Sequence, residues 1–395
     1  MTSSRLHPRR RVLRAAAAAS LCTAAALVGC GGGEDRAQRR AAIADGLSVC
    51  LRALAGRYPA LPGIVVHVLD ERSGLSWGGS FGLADRATGR ALAPDATFRT
   101  ASVTKTFTAA AILQLHARGE LASADAIERH LSAPTLALLR AGGYDTARIT
   151  IDHLLTHRSG LPDHALAEPY LQAVLADPTH RWARTEQLAV AMSLGPPLFA
   201  PGSGWRYSDA GYLLLGEIVE RRTGEALGPA FRRLLQLESL RLASTYQESV
   251  EPVPAGAGPR ARQELLPGVD DAMIDASTDL WGAGGLVSDA RDLALFVRAL
   301  VDGRILEPGA RQFMLRVAAE VADATPPAGY ARGIQRVQVA GTACWGHDGF
   351  SGAFMLHGPA LGITVAGSIN ATEFVGAPPS MAVAVELLRR VAALG

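Results

Sequence analysis

The sequence predicts an α/β chain of the α+β type, an antiparallel sheet flanked by helices with a mainly helical lobe attached. Three observations carry that prediction. Strand-like periodicity lies near both ends, at 63–81 and 334–368. A largely helical stretch with Pro- and Gly-rich connections fills roughly 120–300, the pattern of a chain that begins a sheet, leaves for a helical lobe and returns. The 395 residues are 48% apolar and 19% charged, which supports a large core in one big domain or two lobes.

The elements follow in order. Residues 41–57 carry helical apolar spacing, and the short apolar stretches 63–69 and 75–81 flank Glu71-Arg72-Ser73-Gly74, a hairpin signal. An extended Phe98-Arg99-Thr100-Ala101 leads into a helix over about 102–118, closed by Gly119. The clearest helices of the middle are 213–222 and 290–301. Strand periodicity returns at 334–339, 342–345, 352–356 and 363–368, and a last helix covers about 380–393. The expected domain, 45–395, divides into an α/β lobe (45–118 with 300–395) and a helical lobe (119–299). No internal repeat is present.

Residues 1–30 are expected to lie outside this fold. Arg9-Arg10-Arg11-Val12-Leu13-Arg14 precedes an Ala-rich apolar run, 15–29, that is too short to span a bilayer and has signal-peptide character. Leu27-Val28-Gly29-Cys30 resembles the bacterial lipobox, which implies export to the periplasm or cell envelope and a lipid anchor at Cys30. The paired arginines fit a twin-arginine signal and an ordinary basic leader equally. Residues 31–44, glycine-rich and then charged, read as a flexible tether. Cys50 and Cys344 would remain in the mature chain, as two buried small residues or as a disulfide, which that compartment permits. The net charge of +2 comes partly from the arginine-rich N-terminus, and no basic patch interleaved with aromatics speaks for nucleic acid.

The chemistry begins at Lys105. The other 38 of the 39 Lys and Arg side chains are arginine, so a position that keeps lysine needs something a guanidinium cannot do. A buried ammonium can shift its pKa and move a proton; a guanidinium cannot. Lys105 stands three residues after Ser102, on one face of the expected helix and within reach of its hydroxyl. Ser102 itself falls at the helix start, where unpaired N–H groups and the dipole favour an oxyanion, or where a serine simply caps the helix. Farther on, Trp205-Arg206-Tyr207-Ser208-Asp209 puts a phenol on a loop just before an apolar helix. Trp345-Gly346-His347-Asp348-Gly349-Phe350 puts an imidazole at a strand end between glycines, which allow a ligand close to the backbone.

These three pieces, in this order, resemble the penicillin-recognising serine hydrolases. That superfamily includes class C β-lactamases, D-alanyl-D-alanine carboxypeptidases, D-aminopeptidases and related esterases. Ser102–Lys105, Tyr207–Asp209 and His347–Gly349 correspond to its Ser-x-x-Lys, Tyr-x-Asn and Lys/His-x-Gly motifs. The stretches 154–162 and 282–293 are also similar to family segments. The resemblance implies a β-lactamase/transpeptidase-like fold without cofactor or metal. It implies Ser102 as the nucleophile of an acyl-enzyme, Lys105 and Tyr207 as the proton-transfer pair, and the N–H groups of Ser102 and Phe350 as an oxyanion hole. Asp209, His347, Gly349 and Phe350 would meet the substrate, an ester or amide that is a small molecule or a peptidoglycan-derived peptide. The activity so implied is most like that of a carboxypeptidase or esterase.

Two departures bear on this. Asp209 stands where the family usually has Asn; a carboxylate only accepts hydrogen bonds, and it favours a charged Lys105. His347 replaces the β-lactamase lysine, so carboxylate-bearing substrates are expected to bind more weakly as pH rises through about 6.5. His153 and His157 at i, i+4, with His164 nearby, raise the alternative of a zinc site, but the His-Glu-x-x-His pattern is absent. A tethered sensor that is acylated without useful turnover, or an envelope-binding lipoprotein, is the non-enzymatic alternative.

Overall fold

A computed structural model describes residues 34–318 and 329–394. The expected signal segment and Cys30 lie outside the described residues. The strands are β1 (Gly63–Asp70), β2 (Leu75–Asp85), β3 (Arg90–Ala91), β4 (Thr97–Arg99), β5 (Tyr246–Gln247), β6 (Glu264–Leu266), β7 (Val269–Asp270), β8 (Leu286–Asp289), β9 (Gln335–Val339), β10 (Thr342–Asp348), β11 (Ala353–Gly358) and β12 (Ile363–Ser368). The helices are α1 (Glu34–Arg57), α2 (Thr104–Ala117), α3 (Ala133–Ala141), α4 (Ile151–Leu155), α5 (Glu168–Ala176), α6 (Arg184–Ser193), α7 (Asp209–Thr223), α8 (Leu227–Leu234), α9 (Ala290–Val301), α10 (Pro308–Leu315) and α11 (Ser380–Ala393). Among the described residues, none of these helices is long and apolar enough to cross a membrane.

The main sheet runs β3-β2-β1-β12-β11-β10-β9, antiparallel throughout. The central pairing joins the two ends of the chain, Val65 opposite Ser368 and Asp70 opposite Ile363. Every residue of β1 is buried because both faces of the sheet are covered. Ile64, Val66 and Val68 point into a layer with Leu47 and Leu54 of α1 and Leu387 of α11. The alternate residues Val65 and Leu69 face the larger core on the other side, where α9 packs. Each fully buried aliphatic side chain there contributes about 1.5–3 kcal/mol. A second sheet, β4-β8-β5, carries the chain into α2.

The α+β class, the sheet flanked by helices and the helical middle all agree with the expectation, while several boundaries move. The expected tether is corrected over 34–44, which is the first part of α1. Ile43 is fully buried and Arg39 Nε meets Asp70 Oδ2 at 3.2 Å, so this charged but helix-favouring sequence is held against the sheet. The return to the α/β lobe comes near Leu286 and not at 300, since α9 packs on β1, β11 and β12. β10 extends to Asp348, which brings His347 within the ladder opposite Met355. Cys50 and Cys344 are free, buried thiols whose pKa values burial raises, and no disulfide joins them.

Candidate active site

β4 pairs with β8 and ends at Arg99; the Thr100 N–H then donates to Leu286 O at 2.9 Å. The chain turns sharply there. Ala101 has φ +44°, a left-handed conformation that L residues adopt only under strain. One tight turn, 101–103, precedes α2, so Ser102 lies inside that turn and its side chain caps nothing. The turn is tied down by the Thr100 hydroxyl, which donates to Leu286 O at 3.0 Å and lies 2.9 Å from Thr104 Oγ1. α2 is buried from Thr104 through Leu115, packed among α7, α8 and α10. Phe107 stacks on Phe296 with centroids 3.5 Å apart. Lys105 therefore points from the buried part of α2.

Its Nζ has three partners. It donates to Ser102 Oγ at 2.8 Å and to Ala283 O at 2.9 Å, and it pairs with Asp209 Oδ1 at 2.7 Å. Burial opposes the ammonium, but the Asp209 carboxylate, with Asp279 adding, outweighs it and pushes the Lys105 pKa above its ordinary value. Lys105 is a cation at rest. Tyr207 is a neutral phenol at rest: burial raises its pKa and Asp209 adds to that, while Lys105 and Ser102 only partly offset the rise. Lys105 Nζ lies 5.1 Å from the centre of the Tyr207 ring.

The Tyr207 loop is held by the stretch 154–162. Arg206 N donates to His157 O at 2.9 Å, Ser208 N to His157 Nδ1 at 3.1 Å, and Ser208 Oγ to Pro162 O at 2.8 Å. Asp209 opens α7, where the helix dipole favours its charge, and its N–H donates to Asp163 Oδ1 at 3.1 Å. The stretch 282–293 supplies the Ala283 carbonyl under Lys105 and the Gly282 carbonyl that accepts from Thr108 Oγ1 at 2.7 Å. On the third side, a Cβ on Gly349 would meet Thr100 O at 2.4 Å, so glycine lets this strand end pass directly beside the Ser102 turn.

Ser102, Tyr207, Asp209, His347, Gly349 and Phe350 line one cleft of about 570 Å³, with Lys105 beneath Ser102. The structure thus brings together every residue that the sequence singled out for the site. His347 differs in character from the expectation. It is buried, its Nδ1 lies 2.7 Å from Asp348 O and its Nε2 3.3 Å from the Tyr330 hydroxyl. Burial, helped by Lys105, lowers its pKa to about 4, so the expected titration near 6.5 is corrected: His347 is neutral across the working range. The three histidines of the zinc alternative are used elsewhere. His153 shares a capping box with Thr150, His157 holds the Tyr207 loop, and His164 packs edge-on to Tyr170.

Some residues at the site were not legible from sequence. Gln263, fully buried, clamps the two walls: its Oε1 accepts from Arg99 N at 2.8 Å, and its Nε2 lies 2.9 Å from both Arg99 O and Ser351 Oγ. Asp163 and Asp279 also face the cleft. Burial and the Asp209 charge raise their pKa values to about 6 and about 7. Arg99 is the one arginine or lysine among the described lining residues, and it is turned to Glu248, 2.7 Å from Oε2, and to the Asp271 and Ile274 carbonyls. Apolar side chains also line the cleft: Phe350, edge-on to Phe374 at 5.8 Å, with Leu166, Val174 and Ile274.

A family model described as Beta-lactamase matches residues 51–389. The chain belongs to the beta-lactamase family. Among curated family relatives, an esterase, EstB, of Burkholderia gladioli is 41% identical over 158 residues, 39% of each chain. A D-aminopeptidase of Brucella anthropi is 26% identical over 238 residues, 60% of this chain and 38% of its own. The chain thus spans well under two thirds of the length of these curated relatives. A D-stereospecific amidohydrolase from Streptomyces sp. is similar in structure, with TM-score 0.67, 28% identity, and 86% of this chain and 95% of that chain covered. A D-amino acid amidase from Ochrobactrum anthropi SV3 shares the fold, with TM-score 0.70, 22% identity, and 91% and 98% covered.

Proposed function

We propose that this chain is a serine hydrolase that forms an acyl-enzyme on Ser102, and that it acts on esters or amides whose reacting end carries no carboxylate. The observation that carries the reading is Lys105 Nζ held between Ser102 Oγ and Asp209 Oδ1, at 2.8 and 2.7 Å. Since Lys105 rests as an ammonium, it has no lone pair to offer and acts as a cation. Ser102 Oγ attacks the substrate carbonyl carbon while its proton passes to the oxygen of the neutral Tyr207 phenol, whose own hydroxyl proton passes in the same step to the leaving group, so Tyr207 relays one proton and ends as it began. Water then attacks the acyl-enzyme by the same path reversed. The Ser102 and Phe350 N–H groups receive the developing oxyanion, and the strained turn at Ala101 and the contact at Gly349 fix both donors.

The charge of the cleft supports the substrate class. Asp163, Asp209, Asp271, Asp279, Asp348 and Glu373 line it, Arg99 is already paired, and His347 is neutral. A β-lactam or a peptide ending in a carboxylate finds no free cation among the described lining residues, whereas a neutral ester or an amide with a free amine meets no repulsion there. The esterase, the D-aminopeptidase and the amidohydrolase among the similar proteins fit that class by name. This favours an esterase or amidase over the carboxypeptidase that the motifs alone allow.

The test is a turnover panel run beside Ser102→Ala: nitrophenyl butyrate, D-phenylalanine amide, a D-Ala-D-Ala peptide and a chromogenic cephalosporin. The ester or the amide is expected to exceed the other two in kcat/KM by about tenfold or more, a difference of about 1.4 kcal/mol. A cephalosporin turned over best would refute the substrate class, and a stable Ser102 adduct without turnover would favour the sensor. We also propose export and acylation at Cys30, which palmitate labelling of the wild type and its absence in Cys30→Ala would test.

A further inference from the structure

We infer that Tyr330 is a positioning residue, whose hydroxyl closes a buried chain of hydrogen bonds joining the Tyr207 loop to the His347–Gly349 strand end. The inference rests on the reading of the cleft as a serine-hydrolase site. The direction of every bond in the chain follows from its ends. The Asp348 carbonyl can only accept, so His347 carries its hydrogen on Nδ1, 2.7 Å away, and keeps a lone pair on Nε2. The Tyr330 O–H donates to that lone pair at 3.3 Å. The phenol oxygen accepts in turn from His157 Nε2–H at 3.0 Å. His157 Nδ1 then has the lone pair that accepts the Ser208 N–H at 3.1 Å.

Each donor meets an acceptor, and each polar group is satisfied only while both imidazoles are neutral. Burial, with Lys105 nearby, lowers both histidine pKa values, which agrees with that assignment. Ser208, His157, Tyr330 and His347 are all at most 2% exposed, so water cannot substitute for a missing link. The ends of the chain are the parts that matter for reaction. Ser208 stands between Tyr207 and Asp209, and Asp348 immediately precedes Gly349 and Phe350. The rings reinforce the bonds: His157 lies 4.3 Å from the Tyr207 ring, and Tyr330 stands edge-on to Tyr207 at 6.2 Å and to His347 at 5.8 Å. His157 is held at φ +57°, a strained backbone that the Arg206, Ser208 and Tyr330 contacts maintain. Both ring nitrogens of His347 are thus occupied, and it acts by holding the strand end and not by grasping substrate.

The test uses Tyr330→Phe in the full chain, which keeps the ring and removes the hydroxyl. With nitrophenyl butyrate, kcat is expected to fall about 10- to 100-fold with KM within about threefold, as displaced catalytic groups require. A purely structural role would lower the melting temperature and leave kcat on the folded fraction unchanged, which would overturn the inference. Nitrogen NMR on histidine-labelled wild type supplies a measurement that no variant's folding can spoil, with His347 assigned through sequential backbone connectivities in the wild type. His347 with its proton on Nδ1 supports the chain, and a proton on Nε2 contradicts it. A wild type that is never acylated at Ser102 would contradict the serine-hydrolase reading instead, while the NMR result would still decide the hydrogen-bond chain.

Discussion

Asp209→Asn separates the two proton-transfer schemes that the motifs leave open. Lys105 Nζ and Asp209 Oδ1 are 2.7 Å apart, with the lysine fully buried and the aspartate nearly so. Two unit charges at that distance attract by about 6 kcal/mol at an effective dielectric of about 20, equivalent to about 4 pKa units. Asparagine is almost the same size and removes the attraction, while the burial that opposes the ammonium remains. Lys105 then falls from above its ordinary value into the range that a pH profile reaches. The assay is kcat/KM for nitrophenyl butyrate from pH 6 to 10. If Lys105 works as a cation, the wild type shows no loss from its ionisation, and the variant loses about tenfold or more toward high pH. A variant whose rate climbs with pH, and still climbs in a Tyr207→Phe background, would make neutral Lys105 the base and refute the scheme.

Lys105→Arg keeps the charge but replaces a compact ammonium, whose three partners lie at 2.7–2.9 Å, with a larger planar fork; kcat is expected to fall about 10²–10³-fold in the same assay. Gly349→Ala places a Cβ 2.4 Å from Thr100 O, so the strand end must shift away from the Ser102 turn. A loss of about 10²-fold in kcat/KM, with a lower melting temperature, checks it. Asp279 is raised to about 7 by burial and the Asp209 charge, so the native state binds its proton more tightly than the unfolded chain does. Stability from this group is therefore lost as pH rises from about 4 to 7, and Asp279→Asn should gain about 2–3 kcal/mol more at pH 8 than at pH 5 in denaturant titrations.

The candidate catalytic residues were legible because their signals are local. Ser102 and Lys105 are three residues apart, from the tight turn into the first turn of α2, and Tyr207 and His347 each sit in a short glycine- or aspartate-marked motif. The end strands were legible because a strand shows its period within a few residues. What was hidden depends on distance. Gln263 sits 164 residues from Arg99 and has no motif around it, yet it clamps both walls of the cleft. Tyr330 gains its importance only from His157 and His347, which no sequence neighbour announces. The histidine at 347 was identified, but its burial, which decides its charge, was not. Residues 34–44 were misread because a charged helix with one buried face resembles a tether in composition. The second sheet was missed because β4, β5 and β8 are two to four residues long.

The central claim is that Ser102 carries the acyl group. Acid quenching during turnover of nitrophenyl acetate, followed by peptide mass spectrometry, tests it most directly. An acetyl group on the Ser102 peptide of the wild type, absent in Ser102→Ala together with turnover, is the predicted result. Undiminished turnover in Ser102→Ala, or an acetyl group on another residue in its place, would contradict it.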